Sequence, residues 1–249
     1  MSEAEDRRRR ADAFLATGEE YHRLRPGYPD DVVDWMLPAG PVDVLDLGAG
    51  TGRLTDSLVV RGLAVVAVDP SDSMLSVLVG RHPGVPCLSG AAEAIPMPDA
   101  SVDAIVVGQA WHWMDPVATS AEAALVLRPG GTLAMVWNQR DLKSPWETAF
   151  HAVQYGEGTK VGLEYVDQPD EADAGAPFGP REVFTTAWSR TVAAADHLAL
   201  YTTHSPFLVA DADEQRRRLS AWEAMLAESG VAEVTQTYRT VGWRFRLAP

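Results

Sequence analysis

The chain of 249 residues is 46% hydrophobic and carries a formal net charge of −14, so it holds enough apolar material for one large α/β domain. The acidic balance argues against general binding to DNA or RNA, which needs a basic face. The chain has no apolar run of about 18 residues, no apolar stretch behind its N-terminal charges and no second cysteine beside Cys87. We therefore expect a cytoplasmic protein without disulfides, membrane span or membrane partner.

The first half of the chain alternates short apolar runs with segments of helical spacing. A helical cap is predicted over residues 1–37. The predicted strands are residues 42–47, 64–69, 85–88, 102–107 and 132–137, and the predicted helices are residues 54–61, 73–79 and 117–127. This alternation is typical of βαβ units, whose parallel sheet is covered on both faces.

Proline and glycine mark the segment boundaries that follow. In LRPGG, residues 127–131, Pro129 is expected to end a helix and the two glycines to turn the chain into the next strand. Residues 144–147, SPWE, predict the start of another helix. Residues 156–180 lack periodicity, which is typical of a lid or a disordered insertion. Beyond them, strands are predicted at residues 183–192 and 240–247 and a helix at residues 219–226.

Three glycines follow the first predicted strand in the sequence VLDLGAGTGRL. Because Gly48, Gly50 and Gly52 lack side chains, a ligand can lie against the backbone and the N-terminus of the next helix. Asp46 precedes them, where a carboxylate repels a pyrophosphate and suits an ammonium group. Asp69 ends the next strand, where an acid can accept hydrogen bonds from two ribose hydroxyls. Ribose and an ammonium-bearing chain without phosphate describe S-adenosylmethionine.

Five stretches between residues 21 and 141 carry a family resemblance: YHRLRPGYP, VLDLGAGTGRL, VVAVDPSDSML, GAAEAIPMPDASVDAIVVGQAWHW and LRPGGTLAMVWN. They resemble the class I S-adenosylmethionine-dependent methyltransferases, and within these the type 11 group. The resemblance implies an α/β fold with a Rossmann-like sheet of seven strands, mostly parallel with one antiparallel strand. It also implies a single methyltransferase domain over residues 1–249, with a cofactor-binding half at 38–141 and an acceptor-binding half, including the lid-like segment, at 142–249.

The resemblance also assigns the cofactor contacts. Asp46, Gly48 and Gly50 would line the methionine half, and Asp69 would hold the ribose. The other expected contacts are Thr51, Gly52, Pro70, Ser71, Met74, Ala92, Glu93, Gln109 and Tyr28. Glu93 has a second interpretation as a solvated loop acid.

The stretch QAWHW follows the fourth predicted strand, where methyl donor and acceptor would meet. It resembles one branch of the type 11 group, which includes enzymes similar to trans-aconitate methyltransferase. Trp111 and Trp113 would supply apolar walls of the substrate pocket, with at least one of them also in the core. Tyr21 and Arg25 would join that pocket from the cap. His112 would orient the acceptor or act as a general base, touch the cofactor, or only fix its loop.

The predicted reaction is an in-line transfer of a methyl group from S-adenosylmethionine to a small molecule, with a slight preference for oxygen and with S-adenosylhomocysteine as product. One alternative is a nicotinamide-dependent oxidoreductase, against which the G-x-G-x-G spacing and Asp46 argue. Another is a relative that binds the cofactor without methylating. The histidines form no H-x-x-x-H pattern, so no metal site is expected. No feature indicates an oligomeric state.

Overall fold

The computed structural model describes residues 18–39, 43–142, 145–156 and 174–248. Its strands are β1 (Asp43–Leu47), β2 (Ala64–Asp69), β3 (Cys87–Ser89), β4 (Val102–Gly108), β5 (Leu127–Arg140), β6 (Glu182–Ala193) and β7 (Glu233–Arg246). Its helices are α1 (Gly18–Leu24), α2 (Asp30–Met36), α3 (Arg53–Val60), α4 (Asp72–Arg81), α5 (Pro116–Val126), α6 (Pro145–Tyr155), α7 (Ala194–Thr202), α8 (Ser205–Leu208) and α9 (Ala212–Ser229), with a 3-10 helix at Trp111–Trp113. Among these helices, none is long and apolar enough to cross a membrane.

All seven strands join one sheet, in the order β3-β2-β1-β4-β5-β7-β6. β1 pairs in parallel with β2 and β4, β2 with β3, and β4 with β5. β7 runs opposite to β5, because Leu247 N donates to Gly131 O whereas Asp141 N donates to Thr237 O. The predicted Rossmann-like sheet, mostly parallel with one antiparallel strand, is confirmed.

The central strands lie where their continuous apolar runs predict. In β4, Ala104 to Val107 are fully buried, as expected for a parallel strand covered on both faces. The predicted cap of α5 is also present: Asp115 accepts hydrogen bonds from Val117 N and Ala118 N, both at 3.0 Å.

The LRPGG segment differs from its prediction. α5 ends at Val126 and β5 begins at Leu127, so Pro129 lies inside the strand rather than ending the helix. The irregular register between β4 and β5 accommodates these residues: Val102 pairs with Leu127, but Ala104 pairs with Thr132. A bulge of this kind tolerates a proline because it has already interrupted the hydrogen-bond ladder.

The chain divides into two compact units. Among the described residues, the sheet unit comprises residues 26–39, 43–138, 174–186 and 239–248, and the helical unit comprises residues 18–25, 139–142, 145–156 and 187–238. In the sheet unit, the largest apolar cluster packs β1, β4 and β5 residues with Trp111 and Phe245. In the helical unit, the core consists of Phe150, Tyr201, Phe207 and Trp222. Residues 1–17 of the predicted cap and 157–173 of the predicted lid-like segment lie outside the described residues.

Candidate active site

The glycine loop turns sharply from β1 into α3. Gly48 and Gly52 have φ angles of 71° and 89°, which L side chains rarely adopt. A Cβ at Gly48 would come within 2.8 Å of Ala110 Cβ, and one at Gly52 within 2.9 Å of Leu78 Cγ. Gly50 differs, because a Cβ there would meet nothing within 4 Å in the part of the chain that the structure describes. The loop is therefore closely packed against neighbouring side chains at Gly48 and Gly52, whereas the space beside Gly50 is open.

Asp69, at the carboxyl end of β2, is tied to that loop. Its Oδ2 accepts from Gly50 N at 2.8 Å and its Oδ1 accepts from Ser71 N at 2.9 Å. Burial raises the pKa of Asp69, although both backbone hydrogen bonds lower it. A carboxylate has about four lone-pair sites, so two backbone donors leave acceptor capacity for further hydroxyl groups.

Asp46 lies in β1 and is completely buried. Its Oδ2 accepts from Thr55 Oγ1 of α3 at 2.6 Å, whereas its Oδ1 has no hydrogen-bond partner among the described residues. Burial, as the largest cause, and nearby Asp69 together raise the pKa of Asp46 to about 7, against the lowering effect of Thr55. Asp46, which is predicted to face an ammonium group, is therefore buried just before the glycine loop. Its Oδ1 remains available as an acceptor among the described residues.

The residues after Asp69 begin α4. Pro70 is exposed, and Ser71 caps the helix by accepting from Met74 N at 3.2 Å. Met74 is buried at 7% exposure. A serine cap of this kind stabilises the turn between β2 and α4.

The two predicted adenine-side residues differ in exposure. Ala92 is buried and Glu93 is exposed. Glu93 Oε1 accepts from Asp115 N at 2.7 Å, which joins its loop to the turn before α5. This contact indicates a loop-fixing role beside the predicted adenine contact.

The residue that follows β4 has a strained backbone. Gln109 has a φ of 58°, which is uncommon for a residue other than glycine and marks candidate functional positions. Its backbone N donates to Val136 O, and its side-chain Nε2 donates to Asn138 O at 3.2 Å. Its Oε1 is buried and has no hydrogen-bond partner within the described part of the chain.

His112 is surrounded by indoles. Its ring centroid lies 4.3 Å from that of Trp113 and 4.9 Å from that of Trp137. Trp111 is buried at 5% exposure within the core of the sheet unit, whereas Trp113 is partly exposed. The structure thus brings His112 and Trp113 together. It also places Trp137, near the end of β5, against His112, a contact that the sequence pattern did not indicate.

The remaining predicted residues lie in two places. Thr51 is buried in the glycine loop, and Tyr28 lies against the end of β4, its Oη 2.7 Å from where a Cβ of Gly108 would be. Tyr21 and Arg25 belong to the helical unit, where the Arg25 guanidinium stacks 4.7 Å from the Tyr21 ring centroid and donates to Thr203 O at 3.1 Å.

Comparison with known proteins identifies the family. A family profile described as a methyltransferase domain matches residues 45–135. An uncharacterized methyltransferase of Mycobacterium tuberculosis is 40% identical over 221 residues, which cover 88% of each chain. This chain belongs to the class I S-adenosylmethionine-dependent methyltransferases.

Two further similarities concern the whole fold and part of the sequence. A solved structure from Anaeromyxobacter dehalogenans, described as a type II methyltransferase, superposes on this methyltransferase with a TM-score of 0.69 at 26% identity, covering 90% of this chain and 99% of that one. A malonyl-[acyl-carrier protein] O-methyltransferase of Methylococcus capsulatus is 39% identical over 100 residues, which are 38% of this chain and 36% of its own.

The cofactor of this methyltransferase is S-adenosylmethionine, and the residues present fit it. Asp69 retains acceptor capacity for ribose hydroxyls, and space is open beside Gly50. Asp46 Oδ1 and Gln109 Oε1, which lack partners among the residues that the structure describes, are acceptors and suit a ligand that carries an ammonium group. In the described part of the chain, no group of three His, Cys, Asp or Glu side chains could hold a metal ion.

Proposed function

We propose that this methyltransferase methylates a small-molecule acceptor, preferentially at oxygen, by positioning at the carboxyl ends of β1, β2 and β4. The observation that carries the proposal is Asp69, whose carboxylate holds Gly50 N and Ser71 N beside open space. An acid at this strand end is the expected partner of a ribose. The neighbouring Gly48, Thr51 and Gly52 would bound the same ligand, and Pro70, Ser71 and Met74 would flank it.

His112 is the proposed acceptor-orienting residue. S-adenosylmethionine, when bound, supplies a methyl group on a positively charged sulfur. The chain's own part is alignment, which can contribute roughly 7–11 kcal/mol to lowering a barrier. The His112 ring contacts both the Trp113 and the Trp137 rings. If the acceptor keeps its proton, as a hydroxyl does, the imidazole can take it; if the acceptor is a carboxylate, His112 only orients it.

The acceptor class is proposed from two supports. One is the resemblance of QAWHW to the branch that includes enzymes similar to trans-aconitate methyltransferase. The other is the partial likeness to malonyl-[acyl-carrier protein] O-methyltransferase, which acts on an oxygen. Arg25 and Tyr21 are proposed to contact the acceptor, since a guanidinium suits a carboxylate, and Trp111 to support the wall that Trp113 forms.

Calorimetric titration with S-adenosylmethionine, S-adenosylhomocysteine and NAD tests the cofactor assignment. The first two should bind in the micromolar range and NAD should not. Asp69→Asn should weaken binding at least about tenfold, because one charged acceptor of ribose hydroxyls is lost. Asp103→Asn is the matched control, since Asp103 lies at the opposite end of β4 and pairs with Arg128. Binding of NAD, or equal affinities in Asp69→Asn and wild type, would contradict the proposal.

The acceptor oxygen is tested by incubating the enzyme with labelled S-adenosylmethionine and a panel of small carboxylic acids, hydroxy compounds and amines. Methyl esters release methanol in mild alkali, whereas methyl ethers and N-methyl amines do not. Alkali-labile label together with S-adenosylhomocysteine supports a carboxylate acceptor. Stable label on an amine only would overturn the preference for oxygen.

A further inference from the structure

Asn138, at the carboxyl end of β5, joins three segments of the sheet unit. Its side-chain Nδ2 donates to Gly27 O at 2.8 Å, and its Oδ1 accepts from Thr240 Oγ1 at 2.5 Å. Its backbone O accepts from Gln109 Nε2 at 3.2 Å. The residue is 7% exposed. A buried amide is costly unless it is hydrogen-bonded, so these bonds hold Asn138 and its partners in one geometry.

The hydrogen bond from Asn138 to Gly27 O fixes the segment that leads into α2. Residues 26–29, which we call the strap, are the first residues of the sheet unit and lead directly into α2. Gly27 also lies next to α3, since a Cβ there would be 3.4 Å from Arg53 Nη2. The strap therefore contacts the end of β5 and the helix that follows the glycine loop.

The strap also crosses the end of β4. Tyr28 approaches Gly108 so closely that a Cβ there would lie 2.7 Å from the Tyr28 Oη. Asp46 pairs with Val106 in the β1–β4 register, and Gly108 lies two residues beyond Val106, at the carboxyl end of β4. The strap is thus held against the carboxyl end of β4.

We propose that Asn138 is a positioning residue that latches the strap over the carboxyl end of β4 and thereby sets the affinity for the cofactor; this inference rests on the function proposed above. Asn138 acts through Gly27 and Gln109. Its Nδ2 fixes the strap, and its backbone O directs the Gln109 amide so that Nε2 is bound and Oε1 remains as an acceptor. Loss of the latch frees the strap at one end and lets bound cofactor leave faster.

Asn138→Asp tests the latch with almost no change in shape. The carboxylate still accepts from Thr240 Oγ1 but opposes Gly27 O with a second acceptor. Thr240→Val is the matched control, because it removes a hydrogen bond to Asn138 and leaves the Gly27 bond in place. By titration calorimetry, Asn138→Asp should raise the Kd for S-adenosylhomocysteine about tenfold or more, and Thr240→Val less than about threefold. The melting temperatures of both variants show whether a change in Kd accompanies a general loss of stability.

Hydrogen–deuterium exchange on the ligand-free protein gives a second readout. The peptide over residues 27–37 should exchange faster in Asn138→Asp than in wild type and Thr240→Val. Gly108→Ala tests the position of the strap separately, since its Cβ displaces Tyr28 while Asn138 stays intact. If Asn138→Asp does not fold, Asn138→Ala decides the matter, because it removes the Gly27 bond without adding a buried charge. If wild type binds S-adenosylhomocysteine and the folded Asn138 variant binds it equally well, the latch is refuted and the proposed function stands. If wild type does not bind, both fall.

Discussion

Replacing Asp46 by asparagine should change how the stability of this methyltransferase depends on pH. Burial raises the pKa of Asp46 to about 7, from an ordinary value of 3.8 that the unfolded chain regains. Between these values the folded protein holds a proton that the unfolded chain releases. The free energy of unfolding contributed by Asp46 is therefore fully present below the lower value and is lost as the pH rises towards 7.

The size of the effect follows from the shift. Each pH unit inside that window changes the contribution by about 1.4 kcal/mol, so raising the pH from about 5 to about 7 should remove about 2.5 kcal/mol. The side chain introduced by Asp46→Asn cannot titrate, so the variant should lose none of this. The new amide places a donor where Oδ1 has no partner, at a cost of about 1–3 kcal/mol. The difference between the two pH values is therefore the quantity to compare, rather than the stability at either one.

Urea unfolding followed by circular dichroism, at both pH values, measures that difference. Wild type should lose about 2.5 kcal/mol more than Asp46→Asn between the two conditions. Asp72→Asn, which neutralises an exposed carboxyl at the start of α4, should behave like wild type. An equal pH dependence in wild type and Asp46→Asn would refute the argument that burial of Asp46 governs its titration.

Three further changes have expected outcomes. Burial and two nearby arginines lower the pKa of His197 to about 3, so its contribution to stability is lost as the pH falls below its ordinary value of 6.5. In urea unfolding, His197→Gln should reduce the loss of stability in acid by up to about 1.4 kcal/mol per pH unit. An unchanged dependence of stability on pH would contradict this. Asp115→Ala removes the acceptor for two amides at the start of α5 and should cost about 1 kcal/mol in thermal melting; an unchanged melting temperature would show that solvent replaces the cap. Trp222→Phe removes the indole donor to Phe150 O and vacates core volume, so it should cost about 1–3 kcal/mol. A loss under about 0.5 kcal/mol would mean that the core repacks around the smaller ring.

Strand prediction succeeded where apolar runs are continuous and weakened where buried positions are polar. β2 lies at Ala64–Asp69, as its hydropathy predicts. β7 begins at Glu233, well before the predicted residue 240. Its first half buries Gln236, which binds Arg190, His197 and Tyr238 through its side chain. An amide that is buried because it is hydrogen-bonded leaves no hydrophobic periodicity for sequence reasoning to detect.

The same limit applies to the site. Asp69 and the glycines could be predicted because strand ends and left-handed turns demand those residue types. Asn138 follows a strand as many surface amides do, and its importance comes from Gly27 and Thr240, more than 100 positions away on either side. Partners this distant in sequence depend on the folded topology, and no local pattern encodes them.

The two ends of the central strands differ in how their polar side chains are satisfied, and this difference indicates the place of the cofactor independently of the family. At the amino end of the central strands, the carboxylates Asp43 and Asp103 are both paired with Arg128, each at 2.8 Å. Further along β1 and just after β4, Asp46 is buried and Gln109 adopts a left-handed backbone, and within the described residues one side-chain oxygen of each has no hydrogen-bond partner. Such features destabilise a fold and persist mainly where function requires them. A ligand that donates to these acceptors would relieve both, so the carboxyl end is the expected place for the cofactor, and the role proposed for Asn138 is to hold the surroundings of that place.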